Sequence, residues 1–230
     1  MAVVPAPGYD TMRTTTWLIG MLAWMVAATG GAAELSVRVA DDHGKAVADA
    51  VVTVLPQDAN AQRPAIRSAS GTKTIDQKNL MFIPYIEIFR PGDKVVFRNS
   101  DQTRHHVYSF SPIKSFEFVL APGDSSPPLA LDKSGVIAVG CNIHDQMITY
   151  LYVSDAPWIA HSGADGQVVF HDLPAGAYNV RVWQPRLRPN KPDLAQSTTL
   201  IGASEPKKLT FNLQLLPDSR REFDREHTSY

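Results

Sequence analysis

The chain has 230 residues, room for one large domain or two small ones. Its 22 Lys and Arg against 23 Asp and Glu leave a formal net charge of −1, which argues against a nucleic-acid binder that lives on phosphate attraction. The composition, 44% hydrophobic and 20% charged, is that of a globular protein, and a single Cys excludes an internal disulfide framework or a multi-thiolate zinc or iron–sulfur site.

In chain order, an export signal comes first. Arg13 precedes an apolar run of 12 residues from Trp17 to Ala28, small residues follow, and cleavage is expected after Ala33. The run is shorter than the roughly 20 residues that span a bilayer. Residues 1–33 are therefore read as a signal peptide, with Met12 as a candidate start. An uncleaved anchor is the alternative. The mature chain is expected in the periplasm, without a stable membrane span. In such an oxidising compartment an unpaired thiol should be buried or metal-bound.

Beyond residue 34 helical periodicity is almost absent and short alternating runs dominate. LSVRVAD (35–41) puts Leu35, Val37 and Val39 on one face, and AVVTVL (50–55) follows a polar turn. Then come 81–89, 94–99, 105–110, 115–120, 135–141 and 148–153. Past a Pro-Trp break the runs are 167–173, 177–183, 197–202 and 208–215. Gly, Pro, Asp or Asn separates most of them. Many short strands with frequent turns predict an all-β protein of sandwiches or barrels. The charged, patternless tail, 217–230, is expected to be disordered.

VRVADDHGKAVADAVVTV resembles the opening strand pair of a carboxypeptidase-regulatory-like (transthyretin-like, carbohydrate-binding-like) β-sandwich. SGADGQVVFHDLPAGAYNVRVWQP, with its Asp165-Gly166 turn and Leu173–Tyr178 segment, resembles later strands of the same module. The resemblance implies an outer sandwich made of 34–65 and 157–216. Residues 66–156 read as a second sandwich inserted into it; two tandem sandwiches are the alternative.

The chemistry concentrates in Cys141-Asn142-Ile143-His144-Asp145-Gln146-Met147, a C-x2-H-x2-M spacing, with His105 and His106 upstream. One thiolate, two imidazoles and a thioether match copper: sulfur stabilises Cu(I), imidazole accepts both oxidation states, and a weak axial Met tunes the potential. With 7 His and 6 Met in the chain, the chance of this His and Met following a given Cys at these spacings is roughly one in 1,300. Cys141 ends one apolar run and Tyr150–Val153 lies in the next, so one short loop presents three ligands. A neighbouring strand must bring the other His.

RPGDKVVFRNSDQTRHHV and the Cys141–Met147 loop resemble the cupredoxins, the small blue copper proteins such as plastocyanin, pseudoazurin and amicyanin, over residues 72 to 154. The resemblance implies a Greek-key β-sandwich with one mononuclear type 1 copper held by His105, Cys141, His144 and axial Met147. His105 lies eight residues after Phe97, as in the plastocyanin pattern, and the short loop is of the amicyanin type. His106 stands where cupredoxins often carry Asn. Adjacent strand residues face opposite ways, so one His of the pair should ligate, and His105 is favoured. Asn99, His106 and Asn142 are candidates for bracing the ligands by hydrogen bonds. With HHVYSFSP and CNIHDQM, the whole chain is most similar to exported methylamine-utilisation or plastocyanin-type copper proteins. The implied function is single-electron shuttling to a redox protein, a dehydrogenase or a c-type cytochrome, with no enzymatic activity and no nucleic-acid partner. Residues 66 to 155 carry nine basic and nine acidic residues, so strong electrostatic steering of that partner is not expected.

The bland alternatives are specific. His43, His161, His171 and His227 read as surface histidines, and Asp101, Arg104 and Asp145 as solvated loop charges. Tyr150, Tyr152, Phe97, Phe116 and Phe118 read as core or strand-face aromatics. A Cys–His nucleophilic enzyme would leave Met147 unexplained and lacks an evident orienting acid. A copper carrier or sensor without redox duty would use the same ligands. A carbohydrate- or wall-binding module would rest on the outer sandwich alone, where no cluster of exposed aromatics is evident.

Overall fold

The computed structural model describes residues 1–3, 32–61, 70–188, 194–202 and 205–218. Most of the expected signal peptide and of the expected disordered tail lies outside the described residues. Within them the protein is all-β, with sixteen strands and no helix.

Seven strands build one sheet pair: β1 (Ala33–Asp41), β2 (Val51–Pro56), β12 (Trp158–His161), β13 (Gln167–Leu173), β14 (Gly176–Trp183), β15 (Leu194–Leu200) and β16 (Lys207–Leu213). One sheet has the order β13-β1-β16 and the other β12-β2-β14-β15. β1 runs antiparallel to β13 and parallel to β16. Its alternation sends Leu35, Val37 and Val39 inward, and all three are fully buried with Val52, Val54, Tyr178, Val180 and Phe211. Each such side chain contributes about 1.5–3 kcal/mol by leaving water. Gly166 closes the turn before β13 at φ +73°, where its carbonyl accepts from Val39 N–H at 2.7 Å.

The strands between β2 and β12 pair only with one another. They are β3 (Thr72–Lys78), β4 (Met81–Ile83), β5 (Ile86–Phe89), β6 (Asp93–Asn99), β7 (His105–Ser111), β8 (Lys114–Leu120), β9 (Leu129–Leu131), β10 (Gly135–Cys141) and β11 (Ile148–Val153). Their sheets have the orders β4-β3-β6-β9 and β5-β11-β10-β7-β8. The core between them holds Ile75, Phe89, Val95, Phe97, Val107, Ile137, Val139, Leu151 and Val153, and Cys141 and Met147 belong to the same buried cluster. Phe116 and Phe118 pack on Phe97 with ring centroids 5.4 and 6.2 Å away.

The two sheet pairs meet through aromatic rings. Trp183, at the end of β14, packs against Tyr150 at 5.7 Å and Tyr152 at 5.2 Å, both on the outward face of β11. Arg90 reinforces the junction by donating to the carbonyl of Ser154 at 3.1 Å and to that of Ala156.

Several elements differ from the expectation. The run 81–89 is two strands, because Pro84 has no N–H to continue a ladder. β3, β9 and β12 were not expected: β3 is mostly polar, β9 has three residues, and β12 follows the Pro-Trp break. His161, expected on the surface, is partly buried in β12, with Nδ1 enclosed and unpartnered among the described residues. Desolvation there holds its pKa below the ordinary histidine value. His43 and His171 are largely exposed, and His227 lies outside the described residues.

Candidate metal centre

The site lies at one end of the five-stranded sheet. β7 and β10 are antiparallel, with Cys141 opposite Val107. That register brings the last residue of β10 beside the first residues of β7. Alternation along β7 turns His105, Val107 and Ser109 inward, each at most 1% exposed. His106 and Tyr108 face outward. His106 instead approaches Glu117 of β8, Nε2 to carboxylate 3.4 Å.

The loop after β10 folds back on both strands. Asn142 N–H donates to the His106 carbonyl at 2.9 Å, Met147 N–H to the His144 carbonyl at 3.0 Å, and Cys141 N–H to the Met147 carbonyl at 3.2 Å. These bonds hold His144 over Cys141. The Cys141 Sγ lies 3.6 Å from His105 Nδ1 and 3.7 Å from His144 Nδ1. All three donor atoms lie within 4.8 Å of one another.

Those spacings fit a shared ion. Metal–sulfur and metal–nitrogen bonds of about 2.3 and 2.05 Å separate S from N by about 3.6 Å at a tetrahedral angle and about 3.8 Å at a trigonal one. The donor chemistry, one thiol and two imidazoles, suits a soft or borderline transition metal rather than Mg²⁺ or Ca²⁺. Cys141 is 3% exposed and Met147 2%, so the thioether is packed in the same apolar core as the thiol. His144 is partly exposed, and its pKa is lowered by desolvation first and by His105 second, against a raising influence of Asp101. A lowered pKa keeps a lone pair available on the ring at neutral pH.

Asn99 is fully buried at the end of β6. Its Nδ2 donates to the carbonyls of Thr103 at 2.8 Å and Leu120 at 3.0 Å, and its Oδ1 accepts from Asp101 N–H at 3.0 Å. It therefore braces the loop that delivers His105. Asn142 is exposed and touches the site through its backbone. Arg104 and Asp145 are exposed loop charges. Asp101 differs from that expectation: its side chain is only 11% exposed, and Oδ2 lies 2.9 Å from His105 Nε2. The only signal for it in the sequence was its place four residues before His105, which says nothing of burial.

No protein-family model matches the sequence, and no curated protein does. Solved structures similar to part of this chain include the following copper proteins. Amicyanin from Paracoccus versutus is 12% identical, over 44% of this chain and 98% of its own, at a TM-score of 0.33. A purple cupredoxin from Nitrosopumilus maritimus is 20% identical over 35% of this chain and 98% of its own, at a TM-score of 0.32. A copper-containing nitrite reductase from Thermus scotoductus SA-01 is 20% identical over 44% of this chain, at a TM-score of 0.34, and the match spans 25% of the reductase chain.

Proposed function

We propose that the protein is an exported type 1 copper protein that passes single electrons through one mononuclear copper held by His105, Cys141 and His144, with Met147 as a weak axial donor. The observation that carries this reading is the convergence of a buried thiol with two imidazole nitrogens at 3.6 and 3.7 Å, one of them 36 residues away in sequence. Copper bound there supplies a one-electron Cu(II)/Cu(I) couple. Cys141, as thiolate, is the strongest donor. His105 enters from a strand held in register by β8 and β10, so it moves little when the charge of the site changes. The apolar core beneath Cys141 and Met147 excludes water. His144 is the more exposed imidazole, and the neighbouring Ile143 is 51% exposed, which suits brief apolar docking of a redox protein such as a dehydrogenase or a c-type cytochrome.

Periplasmic placement is part of the same proposal, supported by the charged, apolar and small-residue layout of residues 12–33. So is the division into an outer sandwich, 34–65 with 157–216, around an inserted 66–156. It is supported by the pairing of β1 with β13 and β16 and of β3–β11 among themselves. The outer sandwich then serves to hold the copper-bearing unit through Trp183.

Protein loaded with Cu(II) is expected to show an intense thiolate-to-copper absorption and a reversible one-electron reduction. Loaded protein with neither would end the reading. Ready loss of the metal to modest chelators would favour a carrier, and a copper-independent activity lost on thiol alkylation would favour a Cys–His enzyme. Met147→Leu is expected to keep the metal and raise the potential, because the axial donor tunes it and Cu(I) tolerates the lower coordination number better than Cu(II). A tenfold loss of Cu(II) relative to Cu(I) binding corresponds to about 59 mV. An unchanged spectrum and potential in this variant would show that Met147 is not axial.

A further inference from the structure

The buried contact behind His105 is unused by the ligand set itself. Asp101 Oδ2 lies 2.9 Å from His105 Nε2, on the side of the ring opposite Nδ1, and His105 is fully buried. The same carboxylate accepts two backbone N–H groups, Asn79 to Oδ1 at 2.5 Å and Leu80 to Oδ2 at 3.1 Å. Those residues form the two-residue turn between β3 and β4, both at φ +56°. Asn tolerates that conformation; Leu adopts it only against steric crowding of its Cβ. Asp101 therefore collects three N–H groups on two oxygens, from a strained turn on one side and the imidazole on the other. With its oxygens serving as acceptors, the hydrogen in the third bond sits on Nε2. Nδ1, which points at Cys141 Sγ at 3.6 Å, is then left with its lone pair.

We propose that Asp101 is a positioning residue of the metal centre: it fixes His105 as the Nε2–H tautomer, aims Nδ1 at the shared ligand point, and sets a negative charge behind the ring that favours the higher oxidation state of a bound metal. The last part rests on the copper reading above; the tautomer does not. Asn99 supports the arrangement by holding Asp101 N–H and, through Thr103 and Leu120, the loop between Asp101 and His105. A metal-bound His held by a second hydrogen-bonded group commonly loses about 10–100-fold in metal affinity when that group is removed.

The test has two arms on the full chain. In the first, long-range ¹H–¹⁵N NMR of the metal-free wild type reads the tautomer of His105. Nε2–H is expected, and Nδ1–H would overturn the proposal. This arm needs neither a variant nor copper. In the second, Asp101→Asn and Asp101→Ala are loaded separately with Cu(II) and Cu(I), and affinities are measured by chelator competition. Asp101→Asn keeps an acceptor without the charge and is expected to lower the Cu(II)-to-Cu(I) affinity ratio about tenfold, a rise in potential of about 59 mV. Asp101→Ala is expected to lose about 10–100-fold in Cu(II) affinity. A ratio within twofold of wild type in Asp101→Asn, with the fold intact, would overturn the proposal, since a residue that merely caps the Asn79–Leu80 turn would not move it. If the wild type takes up no copper with a thiolate absorption, the copper reading fails, and the tautomer measurement decides the role of Asp101.

Discussion

Cys141→Ser is expected to abolish the visible absorption of the copper-loaded protein and to weaken copper binding by more than about 100-fold, beyond the range seen when only a residue behind a ligand is changed. The thiolate is the source of the charge-transfer band and the one soft anionic donor in the set. His105 and His144 would remain, yet two imidazoles without the thiolate are a weaker donor set and offer no sulfur-to-copper transition. Cys141 is 3% exposed at the edge of an apolar core, so the hydroxyl is a small steric change. Far-ultraviolet circular dichroism should confirm that the strands persist. A Cys141→Ser protein that kept the band would remove Cys141 from the centre and with it the proposed function.

The largest effect on folding is expected from Gly166→Ala. Gly166 sits at φ +73°, and a Cβ there would lie 2.3 Å from the Val39 carbonyl oxygen, 3.1 Å from Val47 N and 3.2 Å from Ala46 Cα. All three are backbone atoms of β1 and its following turn, so no side chain can swing aside. The left-handed conformation costs about 1–2 kcal/mol for a residue with Cβ, and forced displacement of packed structure about 1–3 more. A loss of about 3 kcal/mol lowers the melting temperature by about 10 °C for a chain of this size. Gly44→Ala is the control: φ is +78° there, but nothing lies within 4 Å of the added carbon, so only the conformational cost applies. Equal melting temperatures for the two variants would show that the close approach to β1 is relieved by small shifts. The copper spectrum should be unchanged in both, because neither glycine belongs to β3–β11.

Strand content was legible wherever one face is buried and the other wet. β1, β10, β11 and β13 lie where alternation put them, to within two residues, although β13 breaks its alternation at Asp172, where φ is +58°. β3 was not, because TKTIDQK shows one apolar residue, Ile75, and its second inward side chain is Gln77, fully buried with its amide nitrogen bonded to the Arg98 carbonyl. Pairing rather than composition makes it a strand. The candidate site was legible where it is local. Cys141 and His144 lie three residues apart on one loop, and strand alternation separates His105 from His106. Asp101 was not legible, since what turns it from a solvated charge into a buried acceptor is the Asn79–Leu80 turn, over twenty residues earlier in the chain. Trp183 and its contacts with Tyr150 and Tyr152 were hidden for the same reason: nothing in either segment names the other.

β2 and β12 lie side by side through four residue pairs, from Trp158 beside Val54 to His161 beside Val51. Everything from β3 to β11 thus leaves and re-enters one sheet at neighbouring points. When that stretch unravels, the clasp shortens the random walk open to it, much as a covalent staple would. In the chain-entropy treatment a closed loop of about 100 residues is worth up to about 4.7 kcal/mol. Residues 66–156 expressed alone forgo that restriction and should melt at a lower temperature than the same strands in the full chain, followed by the near-ultraviolet signal of Tyr150 and Tyr152. An equal or higher value would show that the clasp is slack. The proposed electron-transfer loop is in this way steadied from a sheet to which none of its own strands belongs.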